Sequence, residues 1–490
     1  MGIFAFFNAF LLILLALGYF KRKRWVARFP PGPRNLPLVG SIPFMNGIGT
    51  QGCLNPDYRK FGDLYTLFIG PIPLIVINSF QLTKELYVKE EISSRRDTWW
   101  TINVRGDGKQ SLGIINTGGM KWQTQRRFAL RQLREFGFGK RSLDSVIQEE
   151  AQASIDTILQ ESSKNDGKVL MASNFNVSII NVLWQIVAGQ RFDPEESSTK
   201  ERMEHLNEVF RVGYSVLHYL PIARYFIKKD ERRDKMLSLK EFFREMIREH
   251  IKDQDDDNPR DFIDVYLKEV HKSGEKPSYF HIEQLVTICL DFFQAGAETS
   301  ATTLLWCILY MSLYPQIQKK CKEEIKDKLQ GDEKPTQDCI SELPYTHATL
   351  MEVQRLASVG PMSLPRYTTK DIDVNGYSIP EGTEIYSNFM AFHRDPDFFP
   401  EPLEFKPERF LTEDGSRVKK DEHFLPFGLG RRICMGESLA RHQLIIFFIM
   451  ILQNLNISVP IGQEKPDPES CFMGITRIPT PFHVQIRSVH

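Results

Sequence analysis

At 490 residues the chain is long enough to bury a large core. Its 62 Lys plus Arg balance its 62 Asp plus Glu, which gives no argument for a nucleic-acid partner and leaves any binding electrostatics local. Seven widely spaced cysteines with no CxxC pair disfavour a zinc site and a disulfide framework, and read as reduced thiols in a cytosol-facing protein.

In chain order, the first informative segment is the apolar stretch 3–20, broken only by Asn8 and Gly18 and followed at once by Lys21-Arg22-Lys23-Arg24. It is nearly long enough to span a bilayer. The basic residues follow the apolar run instead of preceding it, which fits an uncleaved transmembrane anchor better than a signal peptide. By the positive-inside tendency the rest of the chain then faces the cytosol. In that topology the sequons Asn176-Val177-Ser178 and Asn456-Ile457-Ser458 go unused. Residues 21–45, basic and then rich in proline from Phe29 to Pro37, cannot continue a helix and read as a stiff linker. The globular domain is expected over 46–490. Within it, Leu64 to Ile69 and Leu74 to Asn78 are strand-like runs with Gly70-Pro71 between them. Residues 120–325 are largely helical in pattern, and Asp371 to Tyr377 carries an Asn375-Gly376 pair suited to a tight hairpin. The fold class is mainly α with a minor β portion.

Two patterns carry chemistry. The first is Phe427-Gly428-Leu429-Gly430-Arg431-Arg432-Ile433-Cys434-Met435-Gly436, leading into the helical pattern Glu437 to Arg441. Glycines let the backbone approach a flat cofactor, and amides at a helix N-terminus can keep a thiolate deprotonated. The second is Ala295-Gly296-Ala297-Glu298-Thr299, central in a helix expected from about Ser278 to Tyr314. Glycine is disfavoured in a helix interior by about 1 kcal/mol, so something is expected to approach Gly296 closely.

The cysteine loop, and the order of motifs over nearly the whole chain, resemble the cytochrome P-450 superfamily, in particular its microsomal family-2 branch. The resemblance implies that fold, a helical haem domain with small β-sheets, and haem b with Cys434 as the axial thiolate ligand to iron. It implies catalytic roles in oxygen activation for Thr299 and the adjacent acid Glu298. Ala297 departs from the threonine common in that branch. Trp122, Arg126, Arg366 and Arg432 match positions that meet the haem propionates, with Arg96 less well aligned, while Phe427, Gly428, Gly436 and Ala295 fall where the family contacts the haem. Glu352 and Arg355 match ExxR, and with Arg409 they are expected as a structural lock behind the haem loop. Phe292, Phe293, Val359, Leu364 and Ile475 match substrate-contacting segments.

Arg127, Arg131, Arg134, Lys140 and Arg141 form a basic stretch in which 127, 131 and 134 share a helical face. It is either a solvated face or a dock for an acidic electron donor, and the resemblance implies the NADPH-dependent reductase, with cytochrome b5 as a second donor. Residues 219–227 are either a second membrane contact or core packing. The activity implied is insertion of one atom of dioxygen into a lipophilic small molecule (a steroid, terpenoid, fatty acid or xenobiotic), with electrons from NADPH, on the endoplasmic reticulum membrane. The alternatives are a haem-thiolate isomerase or dehydratase, or a non-catalytic haem-binding membrane protein.

Overall fold

A computed structural model of the chain describes residues 17–18, 20–45, 50–212, 231–274, 278–329 and 333–489. Most of the apolar stretch 3–20, and all of 219–227, lie outside the described residues. Among the described residues no helix is long and apolar enough to cross a membrane.

Ten helices build the larger part of the domain: α1 (Gly119–Glu135), α2 (Asp144–Lys164), α3 (Asn176–Ala188), α4 (Ser197–Val212), α5 (Glu231–Lys252), α6 (Phe262–Ser273), α7 (Ile282–Leu313), α8 (Pro315–Lys328), α9 (Pro344–Ala357) and α10 (Glu437–Asn454). The 32 residues of α7 make a rod of about 48 Å at 1.5 Å per residue. Its sequence is apolar nearly all round, so it can be satisfied only by burial on every side. It therefore runs through the middle, with α3, α5, α9 and α10 packed around it. It begins later than the sequence pattern suggests, because His281 caps it by accepting the Gln284 amide at Nδ1, 3.3 Å away.

The β portion is a four-stranded sheet ordered β1 (Leu64–Ile69), β2 (Ile72–Ile77), β7 (Glu384–Ser387), β4 (Arg366–Tyr367), in which only β2 and β7 are parallel. A second sheet is ordered β3 (Lys168–Met171), β11 (Phe482–Ser488), β8 (Leu455–Ser458). Two hairpins complete it: β5 (Ile372–Val374) with β6 (Tyr377–Ile379), and β9 (Cys471–Met473) with β10 (Arg477–Pro479). Asn375 and Gly376 both have positive φ, as the tight hairpin turn requires.

The stretch 21–45 is not a free linker. Trp25 and Phe29 pack on Phe68 of β1, with ring centroids 5.7 Å away in each case. The Thr66 amide donates to the Pro31 carbonyl at 3.0 Å and Ser41 to Phe68. The proline-rich segment thus runs along the first sheet as part of the domain.

Candidate active site

A cavity of about 480 Å³ lies between α7, α1, the Leu425 to Gly436 loop and the start of α10. Cys434 sits at its wall, deep in the protein yet with its side-chain surface open to the cavity. The loop is held in shape by the Cys434 amide donating to the Phe427 carbonyl at 3.0 Å. Burial pushes the Cys434 thiol up, and the backbone amides of Gly436 and Glu437 at the start of α10 pull the other way. Gly430, at φ +71°, is required for a reason the sequence did not show: a Cβ there would stand 2.3 Å from the Tyr87 carbonyl oxygen. The close neighbour of Gly430 is the Tyr87 backbone.

Across the same cavity α7 presents Ala295, Gly296 and Thr299. The Thr299 hydroxyl donates to its own helix, at the Ala295 carbonyl, 2.9 Å away. Gly296 packs closely on α3: a Cβ there would stand 2.6 Å from the end of the Leu183 side chain, which would have to shift. Glu298 does not line the cavity. It is buried on the α3 side, accepting from Asn176 Nδ2 at 3.0 Å and Thr302 Oγ1 at 3.1 Å. One helical residue is a turn of about 100°, so Thr299 and Glu298 cannot face the same way. The buried Asn176 is the first of the two sequons.

Trp122, Arg126, Arg366 and Arg432 converge on this cavity from α1, β4 and the cysteine loop. Arg432 donates to Ser93 O (2.8 Å), Ile114 O (3.2 Å) and Thr117 O, and stacks 3.7 Å over Trp122. Arg366 donates to Tyr87 O (3.1 Å) and Leu429 O (3.0 Å), and Arg126 to Ile433 O (2.5 Å). Arg96, by contrast, pairs with Glu384 at 3.9 Å, while its neighbour Arg95 lines the cavity and donates to Ile115 O and Leu364 O, each at 3.1 Å. The bridge between Ser94 and Tyr367 sets that register, and nothing local in the sequence reveals it.

These cations are crowded. Burial, with Arg95, Arg366, Arg126 and Arg431 nearby, pulls Arg432 down to about 7, and burial pulls Arg366 to about 10. Trp122 Nε1 is buried with no hydrogen-bond partner among the described residues. Several guanidinium groups and an orphaned donor beside one cavity call for anionic acceptors there. The two carboxylates of an iron porphyrin suit that set, as the Cys434 sulfur suits its iron.

Phe292, Val359, Leu364, Ile475, Phe427, Gly428 and Gly436 also line the cavity. Phe293 does not; it is fully buried in the core, with ring centroids 5.7 Å from Trp184 and 5.5 Å from Phe243. Behind the loop, Glu352 and Arg355 are both 0% exposed and joined by two contacts of 2.7 and 2.8 Å, and Arg409 Nε reaches Glu352 at 2.9 Å. Arg355 also donates to the His393 and Pro402 carbonyls at 2.6 and 2.8 Å.

Sequence reading missed His393. Its Nε2 accepts the Leu425 amide at 2.9 Å, at the start of the cysteine loop, and its Nδ1 meets Ser358 Oγ at 3.0 Å. Burial, with Arg355 and Arg394, pulls it down to about 3, so it is neutral and can accept there. The exposed Arg127, Arg131, Arg134, Lys140 and Arg141 lie on and beyond the outer face of α1, whose inner face supplies Trp122 and Arg126.

A cavity-facing cysteine, a threonine on a facing helix and a set of buried and half-buried guanidinium groups fit a haem-thiolate enzyme. The chain belongs to the family described as Cytochrome P450, whose pattern it matches over residues 30–486. It is accordingly a cytochrome P450 monooxygenase. It is 34% identical to Cytochrome P450 2L1 of Panulirus argus over 94% of either chain. It is 35% identical to Cytochrome P450 2J2 of Homo sapiens, covering 92% of this chain and 90% of that one. With Cytochrome P450 2B19 of Mus musculus the identity is 33% over 98% of this chain and 99% of the other.

Proposed function

We propose that the chain is an endoplasmic-reticulum monooxygenase, anchored by residues 3–20 with its catalytic domain in the cytosol, that oxidises a lipophilic small molecule. The observation that carries this reading is the shared cavity of Cys434, Thr299 and apolar side chains such as Phe292, Val359, Leu364 and Ile475. When bound, haem supplies dioxygen activation and transfer of one oxygen atom.

The chain's own residues have separate tasks. Cys434 supplies an anionic sulfur. Trp122, Arg126, Arg366 and Arg432, joined by Arg95, would hold the two carboxylates of a bound haem. The Thr299 hydroxyl, anchored at the Ala295 carbonyl, keeps its lone pairs toward the cavity and can hold a proton donor there. Glu298 acts from the far side of α7, holding Thr302 and Asn176 in place. Glu352, Arg355 and Arg409 fix the backbone behind the loop. The basic face around Arg127, Arg131 and Arg134 attracts an acidic partner, the NADPH-dependent reductase or cytochrome b5.

The test is turnover of a lipophilic substrate with NADPH, reductase and isotopically labelled dioxygen. One labelled oxygen atom in the product is expected, and Thr299→Ala should lower product per NADPH while peroxide rises. Turnover without labelled oxygen or without NADPH would overturn the reading in favour of an isomerase.

A further inference from the structure

Asp291, Ala295 and Thr299 are spaced by four residues and so share one face of α7, and all three line the cavity. Among mostly apolar walls, Asp291 and Gln294 form a buried polar patch with Arg105. Arg105 Nη2 donates to Asp291 Oδ1 and Nη1 to Gln294 Oε1, each at 2.5 Å, and its buried Nε has no partner among the described residues. The other Asp291 oxygen accepts the amides of Ile114 at 2.6 Å and Ile115 at 3.0 Å.

The inventory is lopsided. A guanidinium has five N–H donors, and the two contacts above use two of them. Asp291 has both oxygens engaged, and Gln294 Oε1 is taken by Arg105. Among the described residues Gln294 Nε2 reaches only a weak acceptor, the Met236 sulfur at 3.6 Å. Asp291 and Gln294 Oε1 each keep one lone-pair site, so among the described residues the patch has more unused donors than unused acceptors. It is also held firmly from behind: Lys240 Nζ donates to the Arg105 and Gly106 carbonyls at 3.1 and 2.6 Å, and Thr287 Oγ1 to the Arg105 carbonyl at 3.1 Å. A buried ion pair is weak evidence for stability, since apolar side chains of equal volume do as well. A task in binding accounts for it better.

We propose that Arg105 and Gln294 bind an acceptor-only oxygen head group, a carboxylate or a carbonyl, on an elongated lipophilic substrate, and that Asp291 positions Arg105. This rests on the monooxygenase reading above. The five residues from Gln294 to Thr299 rise about 7.5 Å along α7, so the oxidised carbon is expected several carbons away from the head group.

The test titrates the full-length, haem-loaded protein with dodecane, dodecanoic acid and 2-tridecanone, following the haem absorption, for the parent, Arg105→Lys and Arg105→Met. Loss of a hydrogen bond to a charged group predicts weakening of about tenfold or more for the head-group ligands, with dodecane changed less than about twofold. Weakening of the acid alone identifies a carboxylate subsite, and weakening of the ketone as well identifies a carbonyl subsite. In the parent the oxidised carbons should cluster at a fixed distance from the head group, and in Arg105→Met they should spread. Should Arg105→Met fail to retain haem, Gln294→Leu makes the same comparison. Equal changes for all three ligands, or none, would overturn the head-group proposal and leave the monooxygenase reading intact. A parent that shows no thiolate-type carbon monoxide spectrum overturns that reading instead.

Discussion

Glu352→Gln isolates the buried lock behind the cysteine loop. In the parent, Glu352 Oε1 accepts from Arg355 Nη2 (2.8 Å), Arg409 Nε (2.9 Å) and the Lys406 amide (3.0 Å), whereas Oε2 accepts only from Arg355 Nε (2.7 Å). Glutamine keeps the shape, and its best orientation turns the new NH2 to the Oε2 side, so three contacts survive. One donor then faces another, and two guanidinium groups lose the one carboxylate they pair with among the described residues, at a residue 0% exposed. Breaking one partner of a buried pair costs about 3–5 kcal/mol. At about 2.1 cal/mol/K per residue, unfolding 490 residues carries about 1 kcal/mol/K. The midpoint should therefore fall by about 3–5 °C. Because Arg355 also holds the His393 and Pro402 carbonyls, haem loss should accelerate as well. Calorimetry and haem release to an acceptor protein measure the two effects. A variant that matches the parent within 1 °C and releases haem at the same rate would refute the reasoning.

Other expectations follow from single contacts. Both His250 nitrogens face acceptors, Met246 O at 2.8 Å and Asp261 Oδ2 at 3.1 Å, which requires an imidazolium. Burial lowers its pKa, but Asp261 and the Met246 carbonyl outweigh burial and raise it above 6.5. A raised folded-state value gives stability fully present below about 6.5 and lost as pH rises through the folded value. The thermal stability of the parent should therefore fall over that interval relative to His250→Gln, and parallel pH profiles would count against the imidazolium. Gly430→Ala puts a Cβ 2.3 Å from the Tyr87 carbonyl at positive φ, so the loop must shift. Haem incorporation should drop sharply on expression, and normal incorporation would contradict the packing described for Gly430.

What was legible in the sequence was local in spacing. Trp122 and Arg126 share a helical face, Glu352 and Arg355 pair one turn apart, and the cysteine loop carries its own turn chemistry. What was not legible depended on long-range partners. Phe293 and Glu298 each follow or precede a cavity residue by one position, and only the packing of α3 and α5 decides which side turns inward. Arg95 and Arg96 are interchangeable until Ser94 pairs with Tyr367. The proline-rich stretch gave no sign that Trp25 and Phe29 find Phe68. The close approach expected at Gly296 is made by Leu183, and at Gly430, read as room for a cofactor, the Tyr87 carbonyl comes close. His393 looked ordinary because its two partners, Leu425 and Ser358, lie more than 30 residues away on either side.

The most direct test of the account is the absorption spectrum of the reduced, carbon monoxide-bound protein, beside that of Cys434→Ala. An anionic sulfur opposite carbon monoxide shifts the main haem band to the red, and the parent should show that band. Cys434→Ala removes the only sulfur described at the cavity wall that can serve as a thiolate, so it should lose the band while Arg126, Arg366 and Arg432 remain. Retention of the red-shifted band by Cys434→Ala would contradict the assignment of Cys434 as the iron ligand.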